Sequence, residues 1–128
     1  HQTKESAALV CENGMLVVEI TDPKQQVYIF SCDHITIQIQ GEKVKSIIMD
    51  SCSNVNLVFG SCLAACETVN CKKIQIQTTG LCPSFSIDKT AGCLIYLSQD
   101  TIDTTSFVTS QSSEMNGELC IAISFFGF

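Results

Sequence analysis

The 128 residues carry 13 Asp and Glu against 7 Lys, with no Arg, for a formal net charge of −6. This balance argues against nucleic acid as a partner, since phosphate binding needs a basic face that Arg reads best. No apolar run reaches the roughly 18 residues of a membrane span, while a 45% apolar content fits one domain over residues 1–128 with a real core.

Residues 1–10 lack the long apolar stretch of a signal peptide. From there, alternation of period two dominates, which predicts strands. Leu16, Val18 and Ile20 form the first set, and Val27 and Ile29 follow the Asp22-Pro23 turn. Ile35, Ile37 and Ile39 alternate with Thr36, Gln38 and Gln40. Ile47 and Met49, then Val55, Leu57 and Phe59, then Ile74 and Ile76, then Phe85 and Ile87 continue the pattern. Ser61 to Val69 reads either as a short helix or as strand and turn. Gly41, Gly60, Gly80, Pro83 and Gly92 punctuate the chain.

A repeat organises these strands. Cys32-Asp-His-Ile35-Thr-Ile37, Cys52-Ser-Asn-Val55-Asn-Leu57 and Cys71-Lys-Lys-Ile74-Gln-Ile76 share one form, C-x-x-Φ-x-Φ with Φ apolar. The cysteines stand 20 and 19 residues apart, and Gly41, Gly60 and Gly80 close the three phrases. Cys93 follows 22 residues later, one position out of register. A period near 20 built from alternating residues predicts a parallel β-helix, each coil burying its inward row against the coils above and below. Leucine-rich repeats have a similar period but need Leu-rich phrases and a closing Asn, both missing here.

On this reading Cys32, Cys52, Cys71 and Cys93 stack as small, reduced core residues rather than disulfides, since free Cys behaves as a buried hydrophobe. Cys62-x3-Cys66-x4-Cys71 lacks the paired knuckle of a zinc site, so no metal or other cofactor is expected. Counting from each leading Cys gives two outward rows, Thr36, Asn56 and Gln75, then Gln38, Val58 and Gln77. They predict a flat, mostly polar ladder, solvated or docking a protein. Flat neutral faces suit proteins better than small molecules, which prefer concave pockets. The apolar end, with Leu119, Ile121, Ile123 and Phe125 alternating within Gly117–Phe128, must cap the coil or add to a second subunit.

Catalytic motifs do not appear. No phosphate-binding glycine loop and no G-x-S-x-G elbow is present, and the single internal His, His34, reads as a turn residue beside Asp33. Asp88, Asp100 and Asp103 would be the acids of a carbohydrate-active β-helix, but they are scattered.

Several stretches resemble one family. Gln26-Val-Tyr-Ile-Phe-Ser-Cys32, Ile37-Gln-Ile-Gln-Gly41, Asp50-Ser-Cys52, Ser86-Ile-Asp-Lys-Thr-Ala-Gly-Cys93, Tyr96-Leu-Ser98 and Ser112-Ser-Glu-Met-Asn116 are similar, in order, to the C-terminal domain of adenylyl cyclase-associated proteins, which are actin regulators. The resemblance implies a right-handed parallel β-helix that dimerises through C-terminal strands. It further implies cytosolic binding of monomeric, preferentially ADP-bound actin in support of nucleotide exchange, without enzymatic chemistry. In the family the Ser112–Asn116 block leads into a longer acidic, proline-containing tail; here it leads into Gly117–Phe128. Adenylyl cyclase association is not expected through this domain. Tubulin-folding cofactor C shares the implied fold but stimulates GTP hydrolysis with an Arg that this chain lacks. The expected actin-facing residues are Thr36, Gln38, Asn56, Gln75 and Gln77, with Lys72 and Lys73 beside them. The other readings are a dimerising scaffold for a non-actin partner and the carbohydrate-active enzyme.

Overall fold

The computed structural model describes residues 10–12, 14–98, 102–110 and 121–126. Strands alternate between two sheets, and about five coils stack into a β-solenoid. The first sheet runs β1 (Val10–Glu12), β2 (Met15–Glu19), β4 (Asp33–Gln40), β6 (Ser53–Phe59), β8 (Lys72–Thr78), β10 (Ala91–Ser98) and β12 (Ile121–Phe126). The second runs β3 (Gln26–Phe30), β5 (Lys43–Asp50), β7 (Ser61–Val69), β9 (Ser84–Asp88) and β11 (Ser106–Ser110). Every pairing is parallel except β1 on β2. Ser61–Val69, open between helix and strand in the sequence, is strand β7 with Cys62, Cys66 and Thr68 turned inward.

The period-two pattern dictates this packing. Leu16, Ile37, Leu57, Ile76 and Ile95 lie in register down the first sheet. Val27, Ile47, Cys66, Phe85 and Phe107 do the same down the second. The inward rows meet in one core, where Ile37, Ile47, Leu57, Ile76, Phe85 and Ile95 are fully buried. Each such side chain contributes about 1.5–3 kcal/mol by leaving water. Phe85 and Phe107 stack with ring centroids 5.6 Å apart.

The cysteine phrase is a corner device. Each of the four described passages from the second sheet to the first places one residue in the left-handed region: Ser31, Ser51, Asn70 and Lys89, with φ of 60°, 60°, 54° and 49°. The next side chain then donates back across the turn. Cys32, Cys52 and Cys71 reach the carbonyls of Phe30, Asp50 and Val69 at 3.7, 3.4 and 3.2 Å, and the Thr90 hydroxyl reaches that of Asp88 at 3.0 Å. Two residues further on, a second left-handed residue restarts the strand: His34, Asn54, Lys73 and Gly92, with φ of 54°, 55°, 53° and 84°.

This corrects the sequence reading at Cys93. Thr90 is the fourth member of the cysteine column, and Cys93 pairs with Ile74 as an inward core residue. A hydroxyl makes the same backward hydrogen bond as a thiol, and makes it better. Cys32 also departs from expectation, being half-exposed, whereas Cys52 and Cys71 are buried. The seven described cysteines are free thiols.

At the opposite corner the coils nearly touch. A Cβ on Gly41, at φ 130°, would stand 2.9 Å from the Ile20 carbonyl oxygen. One on Gly80 would collide with the Ser61 side chain and lie 2.8 Å from the Gly60 carbonyl oxygen. β12 joins the end of the first sheet, its Ile121, Ile123 and Phe125 in register with Cys93, Ile95 and Leu97 of β10. Leu119, Asp100 and the Ser112–Asn116 block lie outside the described residues.

Candidate protein-docking face

The two outward rows expected from the sequence are adjacent columns on the first sheet. Thr36 pairs with Asn56 and Asn56 with Gln75; Gln38 pairs with Val58 and Val58 with Gln77. Asn56 and Gln75 are exposed, while Thr36, Gln38, Val58 and Gln77 are half-buried between neighbours. β4, β6 and β8 position all six by alternation alone, because the intervening Ile37, Leu57 and Ile76 are anchored in the core.

Both columns run further than the sequence showed. Met15 and Leu94 extend the first and Val17 and Tyr96 the second. Counting from Thr90, rather than from Cys93, would have found Leu94 and Tyr96. The result is ten outward residues, Met15, Thr36, Asn56, Gln75 and Leu94 with Val17, Gln38, Val58, Gln77 and Tyr96, none of them charged. Lys72 and Lys73 are exposed at the corner beside this strip. Lys72 follows Ser53 in the ladder, and Lys73 occupies a left-handed position. Next to Thr36 and Asn56, an open depression of about 330 Å³ is lined by Gly14, His34, Ile35 and Asn54.

The second sheet presents a different surface. Its outward columns are Tyr28, Ile48, Glu67 and Ser86, and Phe30, Asp50, Val69 and Asp88. Tyr28 and Phe30 are exposed and stack on one another, centroids 6.2 Å apart. The Tyr28 hydroxyl donates to Asp50 Oδ2 at 2.8 Å, and this bond, with lesser contributions from desolvation and the Asp50 and Cys52 charges, raises the phenol above its ordinary value. Three carboxylates therefore line this face, and burying them against a partner carries a desolvation cost that the uncharged strip does not.

Among the described residues, His34, Asp88 and Asp103 stand apart from one another. His34, expected in a turn, is instead an exposed, left-handed residue at the start of β4, its Nδ1 2.9 Å from Asp33 Oδ1. Asp88 ends β9 and Asp103 lies in the 3-10 turn Ile102–Thr104. Among the described residues no group of three or more His, Cys, Asp or Glu is placed to hold a metal ion.

Known proteins share this chain's sequence and shape. The family model described as adenylate cyclase associated (CAP) C terminal matches residues 6–121. The chain is 47% identical to the adenylyl cyclase-associated protein of Dictyostelium discoideum over 104 residues, which are 81% of this chain and 22% of that protein. It is 50% identical to human adenylyl cyclase-associated protein 2 over 101 residues, 79% of this chain and 21% of that protein. The chain thus spans about a fifth of the length of these relatives. A crystal structure of cyclase-associated protein from Cryptosporidium parvum superposes with a TM-score of 0.66 at 22% identity, covering 87% of this chain and 78% of that one, which shows the shared fold. On its sequence, the chain belongs to the adenylate cyclase-associated protein C-terminal family.

Proposed function

We propose that this domain binds monomeric actin through the uncharged strip of the first sheet, favours the ADP-bound form, and supports nucleotide exchange and filament turnover in the cytosol. The function is binding rather than catalysis. Exchange is promoted when a binding protein holds one nucleotide state of actin more tightly than another. The observation that carries the choice of face is the pair of in-register columns, Thr36–Asn56–Gln75 and Gln38–Val58–Gln77, flanked by Lys72 and Lys73. Ten uncharged outward residues make this the face with the smaller desolvation cost.

The test is sedimentation velocity of the chain with ADP-actin monomers, repeated with a Gln75→Ala, Lys72→Glu, Lys73→Asn variant. Asn is chosen at Lys73 because Asn54 holds the same left-handed position one coil earlier, so the backbone is left unstrained. We expect a heavier complex with the native chain and at least tenfold weaker association with the variant, at unchanged circular dichroism. Undiminished association would remove this face.

The register of β12 on β10 supports a second reading, that of a dimerising scaffold. An identical strand from another copy fits the same place, which is a low-cost route to a homodimer. Sedimentation of the chain alone as a dimer that ignores actin would favour that reading over the first.

A further inference from the structure

The thiols of the cysteine column at the first corner donate to carbonyls; away from that column two thiols meet across adjacent coils, Cys82 also donating to the Ser84 carbonyl at 3.4 Å. Cys62 Sγ and Cys82 Sγ lie 3.2 Å apart, 20 residues apart in sequence and one coil apart in space. Both are buried, at 2% and 0% exposure.

We propose that Cys62 and Cys82 are a modification site: a dithiol that a hydroperoxide of small size, such as hydrogen peroxide, converts to an inter-coil disulfide.

Three further observations support this. The ladder joining β5 to β7 shifts register between Val44 and Ser46, immediately beside the Val44–Cys62 pair, so the ladder is interrupted there. Cys82 lies in the connection between β8 and β9, outside any strand. The flanking Leu63 and Leu81 are 50% and 43% exposed, which places the pair close beneath the surface. The hydrogen bond with Cys82 holds the Cys62 thiol below its ordinary value, against the opposing effect of burial. The same bond, and then burial, raise Cys82. Cys62 is therefore the nucleophile and Cys82 the resolving thiol.

The chemistry balances in two steps. The Cys62 thiolate attacks one peroxide oxygen, the O–O bond breaks, and Cys62 becomes a sulfenic acid while hydroxide leaves and takes up a proton as water. The Cys82 sulfur then attacks Cys62 Sγ; the S–O bond breaks, the S–S bond forms, and the Cys82 proton leaves with the hydroxyl as a second water. Two thiols are oxidised by two electrons and one peroxide is reduced to two waters. The sulfurs must approach from 3.2 Å to about 2.05 Å, within reach of small side-chain rotations.

The experiment exposes the native chain to stoichiometric hydrogen peroxide, quenches it, alkylates in denaturant without reductant, and maps peptides by mass spectrometry. A linked Cys62–Cys82 peptide, lighter by two hydrogens, is expected. Reduction should reverse it, and the oxidised chain should melt about 10 °C higher because a closed loop constrains the unfolded state. Cys82→Ser, which keeps a donor beside Cys62 but cannot resolve, should leave Cys62 as a sulfenic acid trappable by a cyclic dione. Alkylated, unlinked Cys62 and Cys82 in the oxidised native chain would overturn the proposal, as would a linkage confined to Cys52 and Cys71. The mapping is done on the native sequence, so it remains decisive even where the Cys82 variant does not fold.

Discussion

At the scale of single residues, stability turns on how buried polar atoms are satisfied. Thr68 and Thr90 hydroxyls meet at 3.0 Å in the core, and Thr90 also donates to the Asp88 carbonyl. Thr90→Val removes both contacts and strands the Thr68 hydroxyl, so we expect a loss of about 1–3 kcal/mol in urea unfolding. Thr90→Cys should cost less, since a cysteine fills that corner position in three other coils. Cys93 gives a pH test. Burial pushes its thiol up to about 12 from the ordinary 9.0. A group raised on folding contributes stability that is whole below its unfolded value and disappears as pH rises through its folded value. Unfolding free energy should therefore decline from about pH 9 toward pH 12, and Cys93→Val should decline less steeply. Equal slopes in alkaline denaturant titrations would contradict this assignment. This residue-level detail was only partly legible in the sequence. Cysteine spacing announced the corner, but Thr90 was hidden because hydroxyl and thiol are interchangeable as short donors. Leu94 and Tyr96 were missed as a consequence.

At the scale of the strand and its corners, tight contact replaces side chains. Gly80→Ala drives a methyl into the Ser61 side chain and to 2.8 Å from the Gly60 carbonyl oxygen. Ser61 can rotate away; the Gly60 carbonyl, which accepts the Gly80 N–H at 2.7 Å and the Thr78 hydroxyl at 2.6 Å, cannot. We expect about 1–3 kcal/mol of destabilisation by thermal or denaturant melting, not rescued by Ser61→Ala. The strands themselves were readable from their alternation, since a period of two leaves one face for the core. The nature of Ser61–Val69 was not, because Ala64, Ala65 and the register shift beside Cys62 blur the period. The outward columns were readable as far as the cysteine phrase extended. Their role in binding rests on family and charge, because a flat neutral face has no local chemical signature. Left-handed corners were half legible: Asn54 and Asn70 suit that backbone, while Lys73 and Lys89 do not advertise it.

At the scale of the whole molecule, the two ends of the stack differ. The first sheet is bounded by the antiparallel β1 at one end and by the parallel β12 at the other, and the second by β3 and β11; among the described residues each of these four edge strands has one partner strand. Deleting residues 119–128 removes β12 and uncovers the β10 edge. We expect the truncated chain to sediment as monomer or aggregate, while a well-folded dimer would exclude β12 from the dimer contact. The apolar alternation of that segment announced a strand; it carried no information on which strand it would join.

The stacking order has a mechanical consequence. β1 and β12 lie at opposite ends of one sheet, and the bonds between coils point along the line joining them. A pull applied through these two strands loads the ladders one after another rather than together, so coils should come away singly, like pages from a bound block. Tension along the strands would instead shear every rung of a ladder at once. The domain is thus soft along its stacking axis and stiff along its strands.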